Sequence, residues 1–401
     1  MKKIQLQTII EGLLTKYECP IYQLQPNDIW LGDQLSNGGQ SKVCEAVVKV
    51  GGEEMHAVIK IIKDDEELEY AVQEIDLLCE CQELLNSVVK ILGLTIVPDE
   101  DENGKRTYRL GIVLERGDHD LATHLERYTG SHSVEVVLEI FYSVVQMVQS
   151  LHSQGIAHRD LKLENILVKG EQLKILDLGL ATKTERYYEA EMHTICGTKG
   201  YDAPEICLGE MDGETVYEPK SVDFFSLGVM LFSMLLDRTK HSLKKCQKAI
   251  SHATKRLDID RVIDKCVRDK LICGDHPELI DLIRNLIDPD PYRRLTNARV
   301  LLNKLQKIMR NITTGNNAES DYLTAPVPSR LRTGKENEIN CPQALKAFAA
   351  NYRPSRPKRL QERNRSRSPK NSGKGSKQFT FCSGDYLGKR PERCTRKHSW
   401  A

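Results

Sequence analysis

Ile156 to Leu180 reads IAHRDLKLENILVKGEQLKILDLGL. Within it HRDLKLEN runs from His158 to Asn165, and Asp177-Leu178-Gly179 follows after a stretch of a length that suits a β-hairpin. Moving a phosphoryl group from a nucleotide needs positioning and charge neutralisation more than covalent chemistry. The parts required are a base near the acceptor, a cation near the γ-phosphate and oxygen ligands for Mg2+. Asp160 suits the base, Lys162 the cation, and Asn165 with Asp177 the metal ligands.

Working outward from this segment, the sequence resembles the eukaryotic protein kinase family, serine/threonine type. Upstream, Ala57-Val58-Ile59-Lys60 resembles the family's phosphate-holding strand, so Lys60 is expected to hold the α and β phosphates, with Glu74 of QEIDLL as its ion-pair partner. Ile112-Val113-Leu114-Glu115 resembles the strand that enters the adenine-binding hinge. The resemblance makes Leu114 the gatekeeper, gives Glu115 to Gly117 backbone hydrogen bonds to the base, and puts Leu167 among the nucleotide-binding residues. Downstream, CGTKGYDAPE from Cys196 to Glu205 resembles the peptide-positioning loop, Asp223 in SVDFFSLG the buried aspartate beneath the catalytic loop, and Arg294 the partner of Glu205. The likeness spans Gln25 to Arg310, and its force lies in the agreement of many pieces in order and spacing.

Three departures stand out. The phosphate-covering loop of the family, G-x-G-x-x-G-x-V, aligned on Val43, has Ser36, Gly38 and Ser41 at its three glycine positions. A Cβ limits the backbone approach that glycine allows, so weaker nucleotide binding is expected there. Val58 stands where alanine is common above the adenine, and Leu178 replaces the usual phenylalanine with another apolar plug. A kinase-fold scaffold without turnover is the competing reading. It conflicts with the presence of Lys60, Glu74, Asp160, Lys162, Asn165 and Asp177 together.

Lys162 and the Gly197-Thr198 context resemble serine/threonine rather than tyrosine kinases. The resemblance also marks Arg159, Thr194 and Thr198 as regulatory: Arg159 is the cation that binds a phosphorylated activation loop, and Thr194 lies where many members carry that phosphate, with Thr182, Thr184, Tyr187 and Tyr188 as other candidates. ATP and Mg2+ are the implied cofactors, and protein substrates the implied partners. Basic target sequences are expected if Glu164 reads arginine.

Composition fits this reading. The 401 residues are 40% apolar and 29% charged, the balance of a globular chain with a sizeable core. The apolar stretch Leu227 to Leu236 falls short of the roughly 20 residues of a spanning helix, so no membrane partner is expected. MKKIQLQTII breaks its apolar run with Gln5, Gln7 and Thr8, unlike a secretory signal. The 12 cysteines include no CxxC pair, which excludes the usual zinc spacings and argues for reduced thiols.

Asn37-Gly38-Gly39 and Gly51-Gly52 are expected to turn three strands between Asp28 and Lys63. A helix opening at Asp64, strands at Val88 to Val97 and Tyr108 to Leu114, and a helix at Ser133 to His152 follow. The fold expected is α+β and two-lobed: a polar leader over 1–24, a small antiparallel-sheet lobe over 25–115, a larger mainly helical lobe over 116–310, and a disordered tail over 311–401.

Charge separates the tail from the body. Arg330 to Ala401 carries 19 Lys and Arg against 5 Asp and Glu, net +14, so the rest of the chain is net −13. The basic run Arg353 to Lys377 suits nuclear import factors first, plain solvation next and nucleic acid last, since no aromatics interleave it. Nuclear or cytoplasmic residence is expected. Ser366, Ser368 and Ser399 each follow a basic residue by three positions, and Lys335-Glu336-Asn337 matches a three-residue destruction signal.

Overall fold

The computed structural model describes residues 3–17, 22–84, 86–100, 104–127, 133–184, 191–194, 196–209, 214–236, 243–269, 276–313 and 358–359. Contacts divide the chain into Met1–Glu362 and Arg363–Ala401, and every described residue belongs to the first unit. The tail motifs therefore lie outside the described residues, apart from Lys358 and Arg359. Tyr187 and Tyr188 lie outside them as well.

The amino-terminal lobe begins with α1 (Lys3–Lys16), β1 (Tyr22–Gln23), β2 (Ile29–Asn37), β3 (Ser41–Val50) and β4 (Glu53–Ile62). Then come α2 (Leu68–Glu80), β5 (Ile91–Glu100) and β6 (Arg106–Glu115). Alternation makes the sheet two-faced: Cys44, Ala46 and Val48 of β3 are buried while Val43, Glu45 and Val47 are half-buried and Lys49 is exposed. Ile29, Ala46, Val48, Ala57, Ile59 and Val113 form one small core. Ile62, Leu94, Ile96, Leu110 and Ile112 belong to the main core, with Ile75 and Leu78 of α2. The strand order is β1-β5-β6-β4-β3-β2, antiparallel except for the β1–β5 pair.

The carboxy-terminal lobe contains β7 (His119–Asp120), α3 (Leu121–Arg127), α4 (Val134–Ser153), β8 (Ile156–Ala157), β9 (Ile166–Lys169), β10 (Gln172–Ile175), β11 (Thr182–Lys183) and β12 (Glu191–Thr194). It continues with α5 (Pro204–Gly209), β13 (Glu214–Tyr217), α6 (Pro219–Leu235), α7 (Leu243–Ser251), α8 (Arg256–Arg268), α9 (Pro277–Leu286) and α10 (Ala298–Thr313). A last short strand, β14 (Lys358–Arg359), pairs with β2 at Trp30 and Leu31.

α6 starts cleanly because Pro219 occupies its first turn and the Glu218 carboxylate accepts the Lys220 and Ser221 amides. Its residues from Pro219 to Met234 are buried, which makes it the central post of this lobe. α4 is long and apolar enough to cross a membrane, unlike the stretch weighed from sequence. Here Val137, Phe141, Val144, Val148 and Leu151 bury one face in the protein core.

Several boundaries differ from expectation, among them α10, which runs to Thr313 past the lobe end expected at 310. The region read as a polar leader forms α1 and β1, with Leu6, Ile10 and Leu13 buried, so packed structure begins well before Gln25. β5 starts at Ile91 because the preceding chain is pinned elsewhere: Ile175 N donates to Ser87 O (2.8 Å) and Val89 N to Ile175 O (3.0 Å). The acidic run at Asp64 makes a 3-10 turn over Asp65–Glu67, and α2 begins at Leu68.

Candidate active site

The catalytic-loop segment leaves β8 and is held from below by a single side chain. Asp223, fully buried in α6, accepts His158 N (2.8 Å) and Arg159 N (2.8 Å) on its two carboxylate oxygens and contacts His152 Nε2 at 2.7 Å. His158 Nε2 faces the Leu176 carbonyl at 3.0 Å and can only donate to it, while Nδ1 accepts the Asp160 amide at 3.2 Å. That pattern fixes the neutral tautomer with its proton on Nε2. Arg159 has φ 62° and Asp177 φ 55°, a left-handed conformation that side chains with a Cβ resist. Such strain, on the order of 1–3 kcal/mol per residue, persists where surrounding bonds over-determine the backbone.

Above this base, Asp160, Lys162, Asn165 and Thr198 converge. Thr198 Oγ1 donates to Asp160 Oδ1 at 2.6 Å, and Lys162 Nζ lies 2.7 Å from both Asp160 Oδ2 and Thr198 Oγ1. Asn165 Nδ2 donates to Asp160 O (2.8 Å) and Oδ2 (3.0 Å). A backbone carbonyl can only accept, so this contact fixes the amide orientation and leaves Oδ1 as the oxygen suited to a cation.

Across the cleft, Lys60 Nζ lies 2.8 Å from both oxygens of Glu74 and 2.8 Å from Asp177 Oδ1. Lys60 projects from β4, Glu74 is buried on α2, and Asp177 follows β10. Burial disfavours the Lys60 ammonium, but the Glu74 and Asp177 carboxylates outweigh it and hold its pKa above the ordinary lysine value. Asp177 is half exposed; its partial desolvation pushes the carboxyl upward, and the charge and hydrogen bond of Lys60 outweigh this and hold it below its usual range. Burial raises Glu74 against the opposing pull of Lys60.

The expected nucleotide residues lie around this cleft. Val43 and Lys60 are register partners between β3 and β4, as Val58 and Leu114 are between β4 and β6. Leu167 is buried on β9, and a Cβ at residue 117 would stand 2.4 Å from its Cγ, so only glycine fits there. Ser36 pairs with Val43 across the β2–β3 hairpin, Ser41 opens β3, and the Gly38 carbonyl accepts Lys63 Nζ. Glu115, at the end of β6, has a densely bonded side chain. Its amide donates to Lys90 O (2.9 Å), and its carboxylate accepts Lys90 N (2.8 Å), Lys169 Nζ (2.5 Å) and Lys174 Nζ.

A family model described as the protein kinase domain matches residues 31–305. The chain belongs to the protein kinase family. Members of that family use ATP and Mg2+. Among similar proteins, CBL-interacting protein kinase 20 of Oryza sativa subsp. japonica is 30% identical over 280 residues, 66% of this chain and 54% of the relative. CBL-interacting serine/threonine-protein kinase 20 of Arabidopsis thaliana is 29% identical over 199 residues, 48% and 41% of the two chains. Serine/threonine-protein kinase 10 of Homo sapiens is 28% identical over 233 residues, 58% and 23%. The chain thus spans about half the length of the first of these curated relatives and less of the others.

In this kinase domain Arg159 Nε donates to the Leu180 carbonyl (2.8 Å) and Nη1 to the Tyr217 hydroxyl (3.1 Å). Tyr217 ends β13, whose ladder with β12 sets Thr194 opposite Glu214. Gly197 has φ 132°, and a Cβ there would stand 2.4 Å from Asp202 Oδ1, so glycine is required beside Thr198. Burial raises the Cys196 thiol, which fits a structural role. Further down, Arg294 binds Glu205 through two nitrogens at 2.7 and 2.9 Å and lies over Phe225 at 5.1 Å.

Sequence reasoning missed Tyr217, Lys169 and Lys174. Lys174 is buried against Glu115, 59 positions earlier, and Tyr217 meets Arg159 across 58. A lysine in a strand reads as solvated, and a tyrosine before a helix as core, so no local signal marks either.

Proposed function

We propose that the chain is an ATP-dependent protein kinase that phosphorylates serine and threonine hydroxyls. The observation that carries this is the convergence of Thr198, Lys162 and Asn165 on the Asp160 carboxylate, facing the Lys60–Glu74–Asp177 cluster. Asp160 would orient the acceptor hydroxyl and take its proton, while Lys162 offsets negative charge gathering on the transferred group. Lys60, kept in place by Glu74, would position the nucleotide phosphates. The donor set fits Mg2+, a hard cation that takes oxygen ligands: Asp177 and Asn165 Oδ1 would hold it. When bound it neutralises phosphate charge. Val43, Val58, Leu114 and Leu167 would enclose the adenine, and Ser36, Gly38 and Ser41 would cover the phosphates.

Thr198, bridging Lys162 and Asp160 beside the base, supports a serine/threonine acceptor together with the resemblance of its Gly197-Thr198 context to serine/threonine kinases. Regulation by a phosphate on Thr194, read by Arg159, belongs to the same proposal. The basic tail is assigned to nuclear residence and import factors. Purified protein given radiolabelled ATP with matched serine, threonine and tyrosine peptides should label the first two. Labelling of tyrosine alone would overturn the serine/threonine assignment, and labelling of none with nucleotide still bound would favour the scaffold reading.

A further inference from the structure

α1 lies outside the residues matched by the kinase family. Its inner stripe, Leu6, Ile10 and Leu13, is buried in the same core as Ile75 and Leu78 of α2, and Gln7 Oε1 accepts Gln23 Nε2 at 2.9 Å from β1. At its end two successive residues grip one carboxylate. Tyr17 OH donates to Asp76 Oδ1 at 2.6 Å, and Lys16 Nζ reaches Asp76 Oδ2 at 2.9 Å. Asp76 is two residues beyond Glu74, about 200° around the helix, so the two carboxylates leave opposite sides of α2. One is held by Lys60, the other by α1.

The two contacts differ in weight. Lys16 is 55% exposed, and an ion pair so open to water contributes little. Tyr17 is half-buried; burial and the Asp76 carboxylate push its hydroxyl up to about 12, so it stays protonated and donates a short, charge-assisted bond. α2 has no side-chain cap at its amino end, so its placement rests on its buried face, on these grips and, at its far end, on the exposed pair of Lys183 Nζ with Glu80 (2.8 Å).

We propose that Asp76 is a positioning residue: by accepting Tyr17 and Lys16 from the end of α1 it fixes α2, and so holds Glu74 within reach of Lys60. The amino-terminal helix is then a built-in clamp on the active site. Its effect on turnover rests on the kinase reading; its effect on α2 does not.

The test uses the full chain with Tyr17→Phe and Asp76→Asn, the first a loss of one hydroxyl that leaves packing intact. Amide exchange across Leu68–Glu80 should quicken about three- to tenfold in both. The kcat should fall by a similar factor with the peptide KM unchanged, and Asp76→Glu should recover part of it. In a Glu74→Gln background the same changes should cost no further kcat, because the link they serve is already cut. Unchanged exchange in α2, or an equal kcat loss with and without Glu74, would overturn the clamp. If the unmodified chain transfers no phosphate, the proposed function fails, and exchange in α2 alone decides the clamp.

Discussion

The two walls of the cleft are anchored differently. The catalytic loop rests on Asp223, a fully buried carboxylate that takes two backbone amides and a histidine from the same lobe. Glu74 sits on a helix whose outer grip is a lysine open to water and a half-buried tyrosine. A buried, fully bonded group fixes one geometry, because losing any partner leaves an unsatisfied polar atom. A rim contact can open at small cost. The difference assigns rigidity to the base side and adjustability to the phosphate side.

The largest expected effect breaks the rigid wall. Asp223→Ala strands the His158 and Arg159 amides, each costing about 1–3 kcal/mol, and releases the left-handed backbone at Arg159. Transfer should fall to background and the denaturation midpoint should drop, both measured on purified protein. A variant with normal turnover would show that the loop holds itself.

Next in size is Glu205→Ala. It leaves the Arg294 guanidinium, 4% exposed, without its bidentate partner, and breaking a buried pair in this way costs about 3–5 kcal/mol. Denaturant unfolding should show the loss. Arg294→Met, which removes the charge and keeps apolar bulk over Phe225, should lose less.

A pH comparison sharpens the contrast within the nucleotide site. The Asp177 pKa is depressed below its ordinary 3.8 by Lys60, so its stabilising pair is fully present above that value and is lost as pH falls through the lower folded value. Lys60 is raised above its ordinary 10.5, so its contribution is complete below that value and fades only as pH climbs past the folded one. The midpoint difference between the unmodified chain and Asp177→Asn should therefore stay level from about pH 5 to 9 and shrink in stronger acid. A difference that collapsed near neutrality would contradict the assignment of these shifts.

The smallest effect concerns the covering hairpin. Ser36→Gly with Ser41→Gly removes two Cβ atoms, one exposed and one half-buried, where backbone approach is useful, and should tighten ATP binding by about two- to fivefold with little change in fold stability. Calorimetric titration reads this directly.

What was legible in the sequence follows from how far each interaction reaches along the chain. Asp160, Lys162 and Asn165 sit within six residues, and their chemistry names them. Glu74 and Lys60, 14 positions apart, were legible through the family resemblance carried by Ala57-Val58-Ile59-Lys60 and the helix after it. α1 was not, because Ile9 and Leu14, half-buried beside Leu6, Ile10 and Leu13, broaden the stripe, and Ile4, 79% exposed, stands outside it, so the apolar period is blurred. The first residues of the expected strand at Val88 were misread for a related reason: apolar runs do not say whether their partner is β6 or, as here, the backbone of Ile175. Glu115 was read only through its backbone; that its carboxylate also pairs with buried Lys174 and half-exposed Lys169 was not legible, because only folding brings those lysines near.

The central claim is that Asp160 serves the acceptor and not the nucleotide. ATP affinity and γ-phosphate transfer to a serine peptide, measured side by side on the unmodified chain and Asp160→Asn, test it most directly. Affinity should agree within about twofold while transfer falls about 10²- to 10⁴-fold. Full transfer by Asp160→Asn, or loss of ATP binding in step with transfer, would contradict the account.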